Sequence, residues 1–295
     1  MGHGTRSEAG VEQCRALARK VEGLFPGRST ALGFIEFAQP NLAPAIDGLV
    51  DAGTTTVVGV PLVLLGAGHL KLDGPQALDA ARKRHPGVNF RYGRDLGIHP
   101  AVLEVAQERV VTAVGLLGKN RNAGVVLVGR GSTDPDANAD LYKVSRLLSD
   151  SRGLGSIEPG FVSLAVPSVT EALERCRLLG FRQVAVVPYF LFTGELVQRI
   201  GRQATAWAHS HPEMEVAVGS EMGPDDRLAR VVLERFEEAI SGGASMNCDC
   251  CIYRVPLPGY EHRCNPQPGG GLESTPGERG GDERGSALHE TALEG

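Results

Sequence analysis

Short apolar runs alternate with longer amphipathic stretches over most of the chain. In the region 122–241, four short runs are almost wholly apolar, which is typical of buried strands, and apolar residues recur at helical spacing between them. Short strands that alternate with helices indicate βαβ units and a parallel sheet. The predicted strands are 124–128, 161–165, 184–188 and 216–218, and the predicted helices are 136–148, 169–179, 194–208 and 227–240.

The region 1–121 follows the same order, with one difference at its start. Only Met1 stands before Gly2, where the region 122–241 has a five-residue apolar strand. A parallel sheet normally places that first strand at its centre. We therefore expect a first strand to be missing and the natural start to lie upstream of Met1. The predicted strands are 31–37, 56–61 and 89–92, and the predicted helices are 11–24, 41–52, 75–84 and 100–117.

These two regions are an internal repeat. Gly33–Pro40 matches Gly160–Pro167, and Thr56–Pro61 matches Gln183–Pro188, both at an offset of 127 residues. Such a constant offset indicates two copies of one α/β domain. We call residues 1–121 the first copy and residues 122–241 the second copy.

The remaining residues have a different composition. Residues 242–264 hold four of the six cysteines, whereas Cys14 and Cys176 fall in helical patterns and are expected to be small core residues. Residues 265–295 are rich in Gly, Pro and Glu and contain few large apolar side chains. Such a segment buries too little surface to offset the cost of ordering, so we predict a disordered tail.

Composition and charge exclude several classes of function. No apolar run reaches the roughly 18–20 residues that a membrane helix needs, and no signal peptide is recognisable, so we predict a cytoplasmic protein without a membrane partner. The net charge is −5, but the first copy is mildly basic. That balance suits an anionic small molecule better than nucleic acid, for which no long basic run exists.

Three residues of the first copy are candidates for chemistry. His3 lies between two glycines at a predicted strand end, Glu36 stands in an otherwise apolar strand, and His69 follows the strand that ends at Pro61. Because ligands bind at the carboxyl ends of parallel strands, these side chains could face one cleft. The second copy replaces all three together, by Arg130, Ser163 and Leu196. Joint replacement within a retained scaffold favours one functional unit over two surface histidines and a stray carboxylate.

The candidate residues suit transient metal binding. Neutral imidazoles bind Co²⁺, Ni²⁺ and Fe²⁺, and a neighbouring carboxylate can accept protons. Two nitrogen ligands do not make the closed tetrahedral set of a structural site. A metal site with open coordination positions can pass its metal on to another ligand.

Three motifs carry a resemblance to a known family. They are the Gly-His-Gly-Thr-Arg start, the Phe-x-Glu-x-x-x-Pro stretch at 34–40, and the segment from Pro61 to His69. Together they resemble the sirohydrochlorin chelatases of cobalamin and sirohaem synthesis, over both copies. The resemblance implies two flavodoxin-like halves that face each other across a cleft within one chain, and hence a monomer.

The resemblance also implies insertion of a divalent metal into sirohydrochlorin, with Co²⁺ favoured over Fe²⁺ and Ni²⁺. His3 and His69 would bind the metal and help to remove the pyrrole protons, assisted by Glu36. Basic residues near the cleft would bind the carboxylates of the substrate, unless they are ordinary solvated charges. The candidates are Arg6, Lys71, Arg91, Arg94 and Arg130.

The cysteine-rich segment has its own interpretation. The run from Met246 to Cys251 resembles a Met-x-Cys-x-x-Cys motif that long family members associate with an iron–sulfur centre. The four potential ligands are Cys248, Cys250, Cys251 and Cys264, although adjacent Cys250 and Cys251 cannot easily reach one metal. A zinc site that uses His262 and a set of unliganded thiols are the competing interpretations.

Three alternative functions remain open at this point. The nearest is a sirohydrochlorin ferrochelatase, because imidazole discriminates weakly between these ions. The second is a metal or tetrapyrrole carrier without catalysis. The third is a histidine phosphatase, for which the His-Gly-Thr stretch is suggestive, but Gly2 stands where those enzymes have an arginine.

Overall fold

The computed structural model describes residues 1–118 and 123–242 of the chain. The first copy contains strands β1 and β2 and helices α1 to α4, and the second copy contains strands β3 to β6 and helices α5 to α8. In chain order they are α1 (Glu8–Gly23), α2 (Leu42–Asp51), β1 (Thr56–Gly59), α3 (Gly74–Arg84), β2 (Asn89–Tyr92), α4 (Pro100–Gly115), β3 (Ala123–Gly129), α5 (Pro135–Arg146), β4 (Ile157–Phe161), α6 (Val169–Leu178), β5 (Gln183–Pro188), α7 (Glu195–His209), β6 (Glu215–Val218) and α8 (Asp226–Ser241). Two π-helical turns, His69–Asp73 and Leu147–Ser151, precede α3 and follow α5.

All strand pairs are parallel, as the alternation of strands and helices predicts. The sheet of the second copy has the order β4-β3-β5-β6, with Val126 of β3 opposite Val186 of β5. In the first copy β1 pairs with β2, and Val57 lies opposite Phe90. The predicted α/β class with parallel sheets is therefore confirmed.

Met1 and Gly2 lie where the end of β3 lies in the second copy. The Gly2 amide donates to the Gly33 carbonyl at 2.9 Å, and the Leu62 amide donates to the Met1 carbonyl at 2.8 Å. The equivalent bond of the second copy runs from the Tyr189 amide to the Val128 carbonyl, also at 2.8 Å. The short start of the chain is thus held between two neighbouring backbone segments.

The second strand of each copy differs from its prediction. Residues 31–37 form no continuous strand, and Phe34 makes isolated parallel bridges to Gly2 and to Asn41. In the second copy the strand ends at Phe161, where the predicted strand begins. Pro159 and Gly160 suggest a turn in the sequence, but β4 is an edge strand, and an edge strand tolerates proline.

The segment after each of these positions makes the same tight turn in both copies. The Ala38 amide donates to the Glu36 carbonyl at 2.8 Å, and the Ala165 amide donates to the Ser163 carbonyl at 2.7 Å. Glu36 therefore lies in this turn rather than inside a strand. The turn also requires a glycine opposite it, since a Cβ on Gly4, whose φ is +96°, would lie 1.7 Å from the Glu36 carbonyl oxygen.

The last helix of each copy packs on the other copy. Helix α4 contacts β3, β5 and β6, whereas α8 contacts α1, β1 and β2. Arg235 of α8 is buried and donates to the carbonyls of Asp95 at 2.9 Å and Leu96 at 3.1 Å. The last helix of each copy therefore packs across the boundary that the repeat predicts at residue 121.

The main apolar core runs through both copies. It contains Leu17 of α1, Val105 of α4, Leu127 of β3 and Val231 of α8, all fully buried. The two isolated cysteines, Cys14 and Cys176, are buried as expected, and burial raises the pKa of the Cys14 thiol to about 11. Among the described residues, no helix is both long and apolar enough to cross a bilayer.

Candidate active site

A cleft of about 980 Å³ lies at the carboxyl ends of the strands of both copies. The first copy contributes the loop after Gly2 and the segment after β1. The second copy contributes the loop after β3 and the segment after β5. The lining ranges are residues 3–7, 62–65, 129–133 and 189–198, together with Glu36, Phe37 and Leu164. Both copies are therefore needed to form the walls of one cleft.

His3 and Glu36 meet at this cleft. The Nε2 atom of His3 is 3.2 Å from Oε1 of Glu36, and the two side chains are 31% and 39% exposed. The Nδ1 atom of His3 is 3.1 Å from the Gly4 carbonyl oxygen, which can only accept a hydrogen bond. A hydrogen on Nδ1 would donate to this carbonyl, and Nε2, next to the Glu36 carboxylate, is the nitrogen at which a proton can be exchanged or a metal bound.

The backbone explains why these two residues are neighbours. The Glu36 amide donates to the His3 carbonyl at 3.0 Å, which joins the turn at 36–38 to the loop after Gly2. In the second copy the Ser163 amide donates to the Arg130 carbonyl at the same distance. The scaffold thus pairs these positions twice, and only the first copy fills them with a histidine and a carboxylate.

The third candidate, His69, is described by its backbone alone. It is the first residue of the π-helical turn His69–Asp73. Gly68 before it and Leu72 after it both line the cleft. The turn therefore lies at the cleft, and convergence of the His69 imidazole with His3 and Glu36 stays a prediction.

Two of the predicted basic residues line the cleft. Arg6 and Arg130 are both exposed there. The Arg6 guanidinium lies 4.8 Å from the centre of the Phe37 ring. Arg130 makes no ion pair with any residue in the described ranges. Both cations are therefore accessible to a negatively charged ligand.

The other three predicted basic residues lie elsewhere and join the two copies. Lys71 is buried, with Nζ 2.7 Å from Oδ2 of Asp134 and 3.1 Å from Oδ2 of Asp136. The Arg94 Nε atom is 3.0 Å from Glu238, and Arg91 donates to the Ala239 carbonyl at 3.0 Å. These contacts do not favour substrate binding by Lys71, Arg91 or Arg94, which stays an untested prediction. The sequence alone does not show that α8, the last helix of the second copy, packs against the first copy and contacts Arg91 and Arg94.

Several side chains of the cleft and its surroundings were not among the candidates predicted from the sequence. Phe37 and Leu164 are exposed within the cleft. Tyr189 lines its buried side, its hydroxyl has no hydrogen-bond partner among the described residues, and burial raises the pKa of this phenol. Phe37 follows the candidate Glu36 directly in the sequence, which could have drawn attention to it. However, an apolar residue at the end of a predicted strand is normally expected to lie in the core.

Buried Asp95 and half-buried Asp140 have perturbed pKa values. Burial, followed by the nearby charge of Asp140, raises the pKa of Asp95 to about 6. Burial, followed by the charge of Asp136, raises the pKa of Asp140 to about 6. Neither residue lines the cleft. Their effect is therefore expected on stability rather than on chemistry.

The cysteine-rich segment was predicted to hold an iron–sulfur centre or a zinc ion. Its potential ligands lie outside the described residues, so both the iron–sulfur centre and the zinc alternative remain predictions. These ligands are Cys248, Cys250, Cys251, His262 and Cys264.

Comparison with known proteins identifies the family. The CbiX family model matches residues 1–113 and 124–239. The sirohydrochlorin cobaltochelatase of Priestia megaterium is 39% identical over 223 residues, which are 75% of this chain and 73% of that protein. The sirohydrochlorin ferrochelatase of the same organism is 27% identical over 239 residues, which are 81% of this chain and 88% of that protein.

A solved structure agrees with the fold. SirB from Bacillus subtilis with Fe³⁺ superposes with a TM-score of 0.71 at 29% identity, covering 82% of this chain and 95% of that one. The resemblance carried by the three sequence motifs is thereby confirmed. Since the family model covers both copies, the chain belongs to the CbiX family.

Proposed function

We propose that this protein inserts a divalent metal ion into sirohydrochlorin. The observation that carries the proposal is the 3.2 Å contact between His3 and Glu36 in a cleft that both copies line. The names of the similar proteins support the same substrate, since both cobaltochelatases and ferrochelatases are among them. The metal ion is a substrate of this reaction and not a resident cofactor.

The chemistry follows from the donor atoms at the site. Insertion forms bonds between the metal and the pyrrole nitrogens, and two pyrrole protons must leave. The Nε2 atom of His3 can bind the incoming metal or accept a proton, and the Glu36 carboxylate beside it can accept a proton or stabilise the imidazolium. His69 is proposed as the second metal-binding residue, on the ground that its turn lies at the cleft.

The walls of the cleft suit the rest of the substrate. Leu62, Leu64 and Leu191 provide apolar surface for a macrocycle. Arg6 and Arg130 provide exposed positive charge, and guanidinium groups bind carboxylates in bidentate geometry. We therefore propose these two arginines as the residues that bind carboxylate arms of the substrate. Because one chain supplies both walls, we also propose that the active form is a monomer.

We propose Co²⁺ as the metal, on the strength of the higher identity to a cobaltochelatase. Imidazole ligands do not separate Co²⁺ from Fe²⁺, so the ferrochelatase activity is the alternative. The test is to measure initial rates of the full-length chain with sirohydrochlorin and Co²⁺, Fe²⁺ or Ni²⁺ in turn, by visible absorbance. A faster rate with Fe²⁺ would overturn the choice of metal.

The same assay distinguishes catalysis from carriage. A chelatase makes many equivalents of metallated product for each protein molecule, whereas a carrier binds its ligand in stoichiometric amount. Absence of turnover with every metal, under conditions where the tetrapyrrole binds, would overturn the proposed activity. An iron–sulfur centre at residues 248–264 is not needed for the proposed chemistry of His3 and Glu36.

A further inference from the structure

Phe37 and Leu164 occupy equivalent positions in the two copies and share an unusual environment. Phe37 is 52% exposed and Leu164 is 61% exposed, although both are large apolar residues. Both have a left-handed backbone, with φ of +61° and +59°. Both line the cleft, one from each copy.

A large apolar side chain that is exposed to water on a left-handed backbone lowers the stability of the protein unless the side chain binds a ligand. A left-handed backbone favours glycine or asparagine, and a bulky residue there is uncommon. Exposure to water also removes the stabilisation that burial of a large apolar side chain would provide. Backbone strain of this kind clusters at ligand-binding sites. The chain nevertheless places large apolar side chains at both positions, which indicates that something in the cleft covers them.

The surroundings of Phe37 indicate what that ligand is. Its ring centre lies 6.3 Å from that of His3, so it borders the proposed metal-binding residue. The Arg6 guanidinium lies 4.8 Å from the same ring. Because Arg6 lies over one face of the ring, the other face and the edge of Phe37 are left for a flat conjugated macrocycle whose anionic arms the Arg6 cation can bind.

We propose that Phe37 and Leu164 are apolar contacts for the macrocycle, one from each copy, and that Phe37 stacks on it beside His3. This inference rests on the proposed function, because the macrocycle is the tetrapyrrole substrate. Phe37 and Leu164 then position the ring for metal insertion, and Arg6 holds a carboxylate arm at the edge of the same contact. Neither apolar side chain takes part in proton transfer.

The test compares binding of metal-free sirohydrochlorin to four variants of the full-length chain, by absorbance or fluorescence titration. Phe37→Ala should raise Kd by about tenfold, the upper range for loss of an aromatic stacking contact. Phe37→Leu should restore part of the affinity, and Leu164→Ala should raise Kd by a smaller factor. Leu178→Ala is the matched control, since Leu178 is 71% exposed at the end of α6 and does not line the cleft.

The thermal unfolding temperature separates a ligand contact from a structural role. Since Phe37 is exposed, Phe37→Ala should leave Tm unchanged in the absence of ligand. If Phe37→Ala binds sirohydrochlorin with the same Kd as the wild-type protein, the inference is wrong, whether or not Tm falls. If instead the proposed function is wrong, the wild-type protein itself will insert no metal into sirohydrochlorin.

Discussion

At the scale of single residues, one histidine and one carboxylate distinguish the two copies. The backbone bond from Glu36 to His3 has an equivalent from Ser163 to Arg130, so the scaffold holds both pairs in the same relation. Only the first pair provides an imidazole nitrogen next to a carboxylate, at 3.2 Å. The proposed reactivity therefore depends on side-chain identity and not on a difference of fold between the copies.

Replacement of His3 should stop metal insertion without stopping tetrapyrrole binding. His3→Ala removes a metal-binding nitrogen and a proton acceptor, and we expect kcat to fall by about 10²- to 10⁴-fold. The Kd of metal-free sirohydrochlorin should change by less than about threefold, since the apolar walls and the two arginines remain. Exposed His209, at the end of α7, supplies the control His209→Ala, which should keep full activity. Equal loss of binding and insertion in His3→Ala would favour a carrier.

Replacement of Asp95 should stabilise the protein at neutral pH. Burial raises the pKa of Asp95 from 3.8 to about 6, against opposing contributions from Arg94 and Arg235. Between these two pH values the folded state binds more protons than the unfolded state, so stability falls as pH rises through the window and is constant above it. Asp95→Asn cannot ionise, and its unfolding free energy should exceed that of the unchanged protein by up to about 3 kcal/mol at pH 7–8.

Urea denaturation at several pH values measures this difference. The gain should disappear below about pH 4, where Asp95 is protonated in both the folded and the unfolded states. Asp79→Asn is the comparison, because Asp79 is exposed on α3 and pairs with Lys83 at 3.2 Å. It should change stability by less than about 0.5 kcal/mol, with a small loss at neutral pH. A gain for Asp95→Asn that is independent of pH would contradict the titration argument.

At the scale of elements, ion pairs and exchanged helices join the two copies. Lys71 lies in the turn that begins with His69, and it contacts Asp134 and Asp136 at the start of α5. Asp134 also accepts a hydrogen bond from the Asp136 amide at 3.1 Å, which caps that helix. The turn that carries the proposed second metal-binding residue is therefore anchored to the second copy.

Removal of the Lys71 charge should cost more than a typical surface ion pair. Lys71→Met leaves two aspartates beside each other without their cation, one of them almost fully buried, and we expect a loss of about 3–5 kcal/mol in unfolding free energy. Lys83→Met removes an exposed lysine from its pair with Asp79 and should cost at most about 1 kcal/mol. Denaturant unfolding measures both changes. Similar small losses for the two variants would show that the buried pair contributes little.

At the scale of the whole molecule, the exchange of α4 and α8 makes one folding unit from two repeats. Helix α4 contacts the second copy through β3, β5, β6 and α8, and it buries six apolar residues, Val102, Leu103, Val105, Ala106, Val110 and Ala113. Gly219 of the second copy has no room for a Cβ, which would lie 2.8 Å from that of Ala113. Neither copy can therefore satisfy its core alone.

Separated copies should fold only together. Fragments 1–118 and 123–242, expressed singly, should be largely unfolded or aggregated, because each lacks the helix that covers its sheet. Co-expressed, they should co-elute as a one-to-one complex that unfolds cooperatively, as followed by circular dichroism. Cooperative unfolding of either fragment alone would contradict this view of the exchanged helices.

The sequence by itself determined the periodic elements, the parallel α/β class and the internal repeat, because these depend on local hydrophobic pattern and on residue identity at a fixed offset. It also made His3 and Glu36 candidates for chemistry, since their joint replacement in the second copy is visible without coordinates. The extent of the second strand was wrong in both copies. Local pattern does not reveal which backbone segments pair across a sheet, and the pairing decides where a strand begins and ends.

Only the tertiary structure decided which charges and apolar residues face the cleft. Arg6 and Arg130 lie there, whereas Lys71, Arg91 and Arg94 contact residues that follow them by 63 or more positions in the chain. Phe37 would be assigned to the core by its hydrophobicity, but the turn at 36–38 directs it outward. Contacts between distant segments arise from packing of the whole chain, and no local pattern contains that information.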